Sequence, residues 1–229
     1  MDRVPKEIKR WDRYTPGEVS WINANIDHPA RQVFIDYAVK NAQSILEVGP
    51  GELIEYQKIK DRKPIDYTIA DISKPFLNNA CEKFPEIKCI KSYMEDVHLY
   101  FKPKTFDVVF LSSVLEHSWN IKRAVKMIRT AKKFHFVLFK WHFKGSLISL
   151  YRWRKKYYST PFNIDGLIHQ IKKHGIIEYM DIITPQGERL PFSDYRINKI
   201  GMHRNGTYLM IHGRNKNGIS KKSTDAKND

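Results

Sequence analysis

The chain has 229 residues, 41% of them hydrophobic, which is enough for one sizeable core and short of two comfortable domains. Met1 to Glu7 holds no apolar signal core, and no stretch reaches the roughly 18 uncharged apolar residues that span a bilayer, so a soluble, cytoplasmic protein with no transmembrane segment is expected. Cys81 and Cys89 are too few for a disulfide framework and lack zinc spacing, so both are expected to be buried thiols, and the formal net charge of +15 asks where along the chain the excess lies.

In chain order, Met1 to Lys40 sets Trp11, Tyr14, Trp21 and Phe34 among charges and predicts a helix over Pro29 to Asn41, so residues 1–40 read as a helical lid or brace. From there β-branched runs alternate with helix-period segments. The predicted strands are Ser44 to Val48, Tyr67 to Ala70, Ile87 to Ile90, Phe106 to Leu111, Phe134 to Phe139, Ile176 to Ile183 and Thr207 to His212. The predicted helices are Ile54 to Lys60, Lys74 to Lys83, Ile121 to Ala131 and Ile164 to Lys173, the last with Asn163 as N-cap and Gly175 past its end. Such alternation over 41–213 implies a seven-stranded, mostly parallel α/β sheet with helices on both faces. Residues 214–229 are Lys, Asn, Ser, Asp and Gly with little else, and are expected to be a disordered basic tail.

The charge is concentrated. Between Ile121 and Thr160 there are twelve Lys or Arg and no Asp or Glu. The stretch reads either as a solvated helix face with a basic loop or as a site for something anionic.

Ser44-Ile45-Leu46-Glu47-Val48-Gly49-Pro50-Gly51 is an apolar strand running into a tight turn, where two glycines let backbone approach a ligand and the next helix offers unpaired N–H groups. Ile54 stands where a dinucleotide-binding loop would place its third glycine, which argues against NAD. The second strand ends in Asp71-Ile72-Ser73, about 20 residues past the glycine turn, where a ribose diol needs an acceptor. Ser92-Tyr93-Met94-Glu95-Asp96 follows the third strand, and Phe106 to Leu111, the fourth, runs on through Ser112-Ser113-Val114-Leu115 to Glu116-His117. In an open parallel sheet all of these ends share one rim.

This order of E-x-G-x-G, Asp-Ile-Ser and FDVVF followed by LEH resembles the class I S-adenosylmethionine-dependent methyltransferases over roughly Ala42 to His117. The resemblance implies a Rossmann-like doubly wound fold and S-adenosyl-L-methionine as cofactor. Carried over by position, it implies cofactor contacts from Glu47, Gly49, Pro50, Gly51, Asp71, Ile72, Met94, Glu95, Ser112 and Ser113. The sequence departs from the family at Leu53, where many members have a small residue, and at Tyr93 or Met94, where many have Asp. Glu116-His117 also resembles the E-x-x-E-H metal motif of some O-methyltransferases; Ser113 stands in place of the first Glu, so no metal is expected.

Methyl transfer from a sulfonium needs alignment and water exclusion more than a base. If the acceptor is a hydroxyl or ammonium, His117 is the candidate base. The segment 141–160, Trp141 to Tyr158 and beyond, mixes aromatics with Lys and Arg near the expected acceptor side. Three acceptor classes fit it: a small molecule or glycan, which is the leading reading; an RNA; or a lipid-linked acceptor at an anionic membrane surface, the last two through Lys140 to Lys156. A fourth reading is a non-catalytic relative that uses the fold for binding.

Overall fold

A computed structural model describes residues 11–17, 27–138, 141–142, 162–193 and 208–216. The expectations for the start of the lid, for most of the 141–160 insert and for 217–229 lie outside the described residues.

Eight strands form one sheet in the order β3-β2-β1-β4-β5-β10-β8-β9. They are β1 (Ser44–Val48), β2 (Asp66–Asp71), β3 (Lys88–Lys91), β4 (Phe106–Ser112), β5 (Ala131–Leu138), β8 (Gly175–Ile183), β9 (Arg189–Pro191) and β10 (Tyr208–Asn215). β1 to β5 pair in parallel, and β10 lies antiparallel between β5 and β8. The seven predicted strands are all present. The eighth, β9, folds back on β8 as an exposed edge whose residues show no alternation, which is why the pattern missed it. β6 (Trp141–His142) and β7 (Phe162–Asn163) make a separate short parallel pair.

The interior strands are apolar on both sides because helices cover both faces. Ile45, Val108 and Phe110 face α1 (Pro29–Asn41), α2 (Ile54–Lys60) and α3 (Lys74–Lys83), where Phe34 stacks on Phe110 with ring centroids 3.6 Å apart. Leu46, Val48, Val109 and Leu111 face α4 (Ile121–Ala124), the 3-10 helix Val125–Thr130 and α5 (Ile164–His174). The expected helix over 121–131 therefore tightens after one α turn into a 3-10 helix and ends one residue early, since β5 already begins at Ala131.

Two further expectations are corrected. Cys81 on α3 and Cys89 on β3 are half-buried and joined as a disulfide, because α3 packs beside the edge strand and brings their Cα atoms to 6.5 Å. Arg214 and Asn215 belong to β10, where the buried Asn215 amide donates to the carbonyls of Arg129 and Ala131 at 3.2 Å.

Candidate active site

The carboxyl ends of β1, β2 and β4 meet at one rim. Gly49, Pro50 and Gly51 turn the chain there, with φ of 68° at Gly49 and 54° at Gly51, a region that glycine enters without a Cβ penalty. Gly49 N–H donates to Ala70 C=O at 2.8 Å, tying the turn to the end of β2. A Cβ added to Gly49 would lie 2.1 Å from Val114 Cγ2, so the turn also packs against the segment after β4. Val114 carried no signal in the sequence.

Leu53 also holds a left-handed φ of 57°, the conformation for which a third small residue is suited, and it is 2% exposed among α1, α2 and α3 side chains. Its side chain is packed into the core, and burial offsets the roughly 1–2 kcal/mol that this conformation costs a residue with a Cβ.

Asp71 ends β2, and its Oδ1 accepts from Ser73 N–H at 2.8 Å, with Ile72 following on the same turn. Burial pushes its carboxyl up to about 6, opposed by the backbone N–H groups of Ser73 and Ile72 and reinforced by Asp12. A carboxyl desolvated in this way gains from new hydroxyl donors.

Two carboxylates carried over from the family pattern are turned inward. Glu47 is 1% exposed and accepts from Tyr67 OH at 2.9 Å, and burial followed by the charge of Glu55 holds its carboxyl well above the usual range. It sits beneath the turn as a structural group. Glu55, fully buried on α2, pairs with Arg31 of α1. Glu95 is 2% exposed, and its Oε1 accepts from Ser118 Oγ at 2.7 Å and from Trp119 N–H at 3.0 Å. Glu95 thus fastens the segment after β3 to the one after β4. Met94 is half-buried against the α5-side core, and Tyr93 beside it is half-buried, its phenol raised by burial and then by Asp96 and Glu95.

Ser112 closes β4, and its Oγ is buried with no hydrogen-bond partner among the described residues. Ser113 follows with φ 54°, its N–H bonded to Val137 C=O at 2.8 Å, so the chain kinks at the rim. His117 ends the next 3-10 turn, and Trp11 stands edge-on to its ring with centroids 5.0 Å apart. The 11–17 segment is fastened across this rim: Lys74 N–H donates to Asp12 Oδ1 at 3.0 Å, and Gly17 N–H donates to Glu52 Oε1 at 2.6 Å. Asp12 so supplies the carboxylate at the start of α3 that its N-cap, Ser73, does not provide from its own side chain. Among the described residues no group of three or more His, Cys, Asp or Glu is placed to hold a metal ion.

The rim therefore gathers Gly49, Pro50, Gly51, Asp71, Ile72, Ser112, Ser113 and His117, with Glu47 and Glu95 behind it. Residues 46–133 match the methyltransferase domain family. Over these residues the chain carries a methyltransferase domain, a family that uses S-adenosyl-L-methionine.

No curated protein matches the chain by sequence. Solved structures share its fold. The N-methyltransferase NodS from Bradyrhizobium japonicum WM9, in complex with S-adenosyl-L-homocysteine, matches with TM-score 0.60 and 12% identity over 94% of this chain and 100% of its own. A chain of the complex between the Haloferax volcanii Trm112 methyltransferase activator and a methyltransferase matches with TM-score 0.65 and 12% identity, over 91% of this chain and 97% of that one. The geranyl diphosphate C-methyltransferase from Streptomyces coelicolor A3(2) matches with TM-score 0.64 and 10% identity, over 81% and 75%. Their methylated atoms differ, so the shared fold leaves the acceptor open.

The residues present fit the cofactor. The unpartnered Ser112 hydroxyl, the raised Asp71 carboxyl and the backbone bared at Gly49 and Gly51 offer hydrogen-bonding groups along one rim. An aminoacyl nucleoside with a ribose diol has complementary groups.

Proposed function

We propose that this methyltransferase acts on a small-molecule or glycan-type acceptor held between the rim and the 11–17 segment, in the cytoplasm, with His117 as the base. The observation that carries this reading is the Trp11 ring edge-on to His117, on a segment fastened to α3 by Asp12. Trp11 and Tyr14, whose rings lie 5.6 Å apart, supply an aromatic wall beside the imidazole, a surface suited to the apolar face of a sugar or a small planar acceptor.

S-adenosyl-L-methionine supplies a methyl group already activated on a sulfonium. Asp71 would accept from the ribose hydroxyls, and the turn at Gly49 to Gly51 would lay its bared backbone against the aminoacyl portion. Ser112 Oγ would donate or accept beside it. His117 takes the proton released by an acceptor hydroxyl or ammonium, and the Trp11 segment excludes water from the aligned pair.

The test is release of S-adenosyl-L-homocysteine in the presence of panels of sugar, phenolic and amine acceptors. Turnover with one panel, reduced in Trp11→Ala and shifted in its pH profile in His117→Gln, supports the reading. Turnover on RNA alone, or a profile unchanged in His117→Gln, contradicts it.

A further inference from the structure

Three separate stretches of chain meet on the flank of the sheet that α4 and α5 cover. They are 97–106, which opens with a 3-10 turn at Val97–Leu99, 117–138, which contains α4 and the 3-10 helix, and 166–177, most of α5 with the start of β8. None of the three contains an Asp or Glu. Between them they carry ten Lys or Arg; Lys132 and Lys133 pair with Asp107 and Glu178 just beyond the stretches, and the other eight are Lys102, Lys104, Lys122, Arg123, Lys126, Arg129, Lys172 and Lys173.

The fold arranges these cations as a surface. Val125, Met127 and Ile128 are buried, so Lys126 and Arg129, three residues apart, share the outer face of the 3-10 helix, with Arg123 one turn earlier. Lys104 N–H donates to Arg129 C=O at 2.9 Å, which brings the 102–104 loop to one end of this ridge. His98 lies within the field of Lys126 and Arg123 on one side, and His174 within that of Arg129, Lys126 and Lys173 on the other; burial first and then these charges hold both imidazoles below their ordinary value. Asp96, just before the first stretch, pairs with Arg123. At the border of the patch Leu99 and Tyr100, adjacent in sequence, are 66% and 56% exposed.

We propose that this flank docks on an anionic phospholipid membrane surface, with Leu99 and Tyr100 entering the headgroup layer and the Arg123, Lys126 and Arg129 ridge lying on the lipid phosphates and carboxylates. The cations spread sideways from the ridge to α5 and to the 102–104 loop, which suits a plane, and an aliphatic side chain such as Leu99 gains from acyl chains and nothing from a nucleic acid strand. The docked face runs up to the rim at Asn120, the N-cap of α4, and leaves the rim itself open. Docking by this flank requires no particular acceptor at the rim.

The experiment is co-sedimentation of the full chain with vesicles of mixed phosphatidylserine and phosphatidylcholine, and with phosphatidylcholine vesicles alone, across a salt series. Single-stranded oligoribonucleotide binding is followed by anisotropy in parallel. Expected are binding to the mixed vesicles only, weakening with salt, a loss of about a hundredfold in Arg123→Gln/Lys126→Gln/Arg129→Gln, and a smaller loss in Leu99→Ser/Tyr100→Ser. Lys126→Gln/Arg129→Gln spares the Arg123–Asp96 pair and serves if the triple variant does not fold. Unchanged binding of S-adenosyl-L-homocysteine certifies each variant. No association with the mixed vesicles, equal association by the variants, or a variant-sensitive affinity for the oligoribonucleotide in place of vesicles would overturn the proposal.

Discussion

Glu95 Oε1 accepts a hydrogen bond from Ser118 Oγ at 2.7 Å, from a position 2% exposed to solvent. This one carboxylate oxygen also receives Trp119 N–H at 3.0 Å, so two loops of the cofactor rim hang on it. Removing it takes away the acceptor of both donors. Glu95→Ala is expected to cost about 2–4 kcal/mol of stability and to weaken S-adenosyl-L-homocysteine binding, whereas Glu95→Gln keeps an accepting oxygen and most of both. Urea midpoints and calorimetric affinities for the two variants check this; equal losses in both would show that charge, and not loop fastening, is what Glu95 provides.

Gly49 and Val114 form a second fastening. Gly49→Ala meets both the 2.1 Å clash with Val114 Cγ2 and a positive φ, so thermal stability and cofactor affinity should fall together. Val114→Ala removes the worst contact, leaving the 3.0 Å approach to its Cβ and the strain. The double variant should therefore recover part, but not all, of the loss. Strict additivity of the two substitutions in a denaturation cycle would contradict the contact.

The Asp71 carboxyl, held up to about 6 by burial, titrates in an accessible range. Accepting two ribose hydroxyls favours its ionised form, so cofactor affinity should fall as pH drops below 6, by up to about tenfold per unit. Binding below that pH should release a proton. Titrations in buffers of different ionisation enthalpy measure the release, and Asp71→Asn should abolish it.

Much of this was legible beforehand because each signal is local. Helix bounds at Pro29–Asn41, Ile54–Lys60 and Lys74–Lys83 follow from periodicity and end signals, and the rim follows from placing Gly49, Asp71 and Ser112 at the ends of parallel strands. What was not legible depends on which side chain meets which across the fold. Glu47 and Glu95 stand at positions that read as ligand contacts, yet the tertiary packing turns both inward to Tyr67 and Ser118. The Cys81–Cys89 pairing required knowing that α3 lies along β3. The basic flank is spread over three stretches that only the fold assembles.

His135 and His212 oppose each other across β5 and β10, their Nδ1 atoms 3.3 Å apart in the interior. Burial holds His135 well below its ordinary value and brings His212 down to about 4, Glu178 opposing in the latter case. Depressed histidines contribute stability that is present above the unfolded value, roughly 6.5, and lost as pH falls towards 4. The raised Glu47 and Asp71 carboxyls act in the opposite sense, their contribution being lost as pH rises. The histidine share is therefore read as a difference: His212→Gln should flatten the decline between pH 6.5 and 4 by up to about 1.4 kcal/mol per pH unit. An acid limb identical to that of the unmodified chain would show that the pair does not resist protonation.

The most direct test of the central claim, that this rim binds S-adenosyl-L-methionine through Asp71, is isothermal titration of the full chain and of Asp71→Ala with S-adenosyl-L-homocysteine. One site per chain is expected, with affinity reduced by about a hundredfold in the variant while its unfolding temperature stays close to that of the unmodified chain. Equal affinity in the two proteins, or no heat with a well-folded unmodified chain, would contradict it.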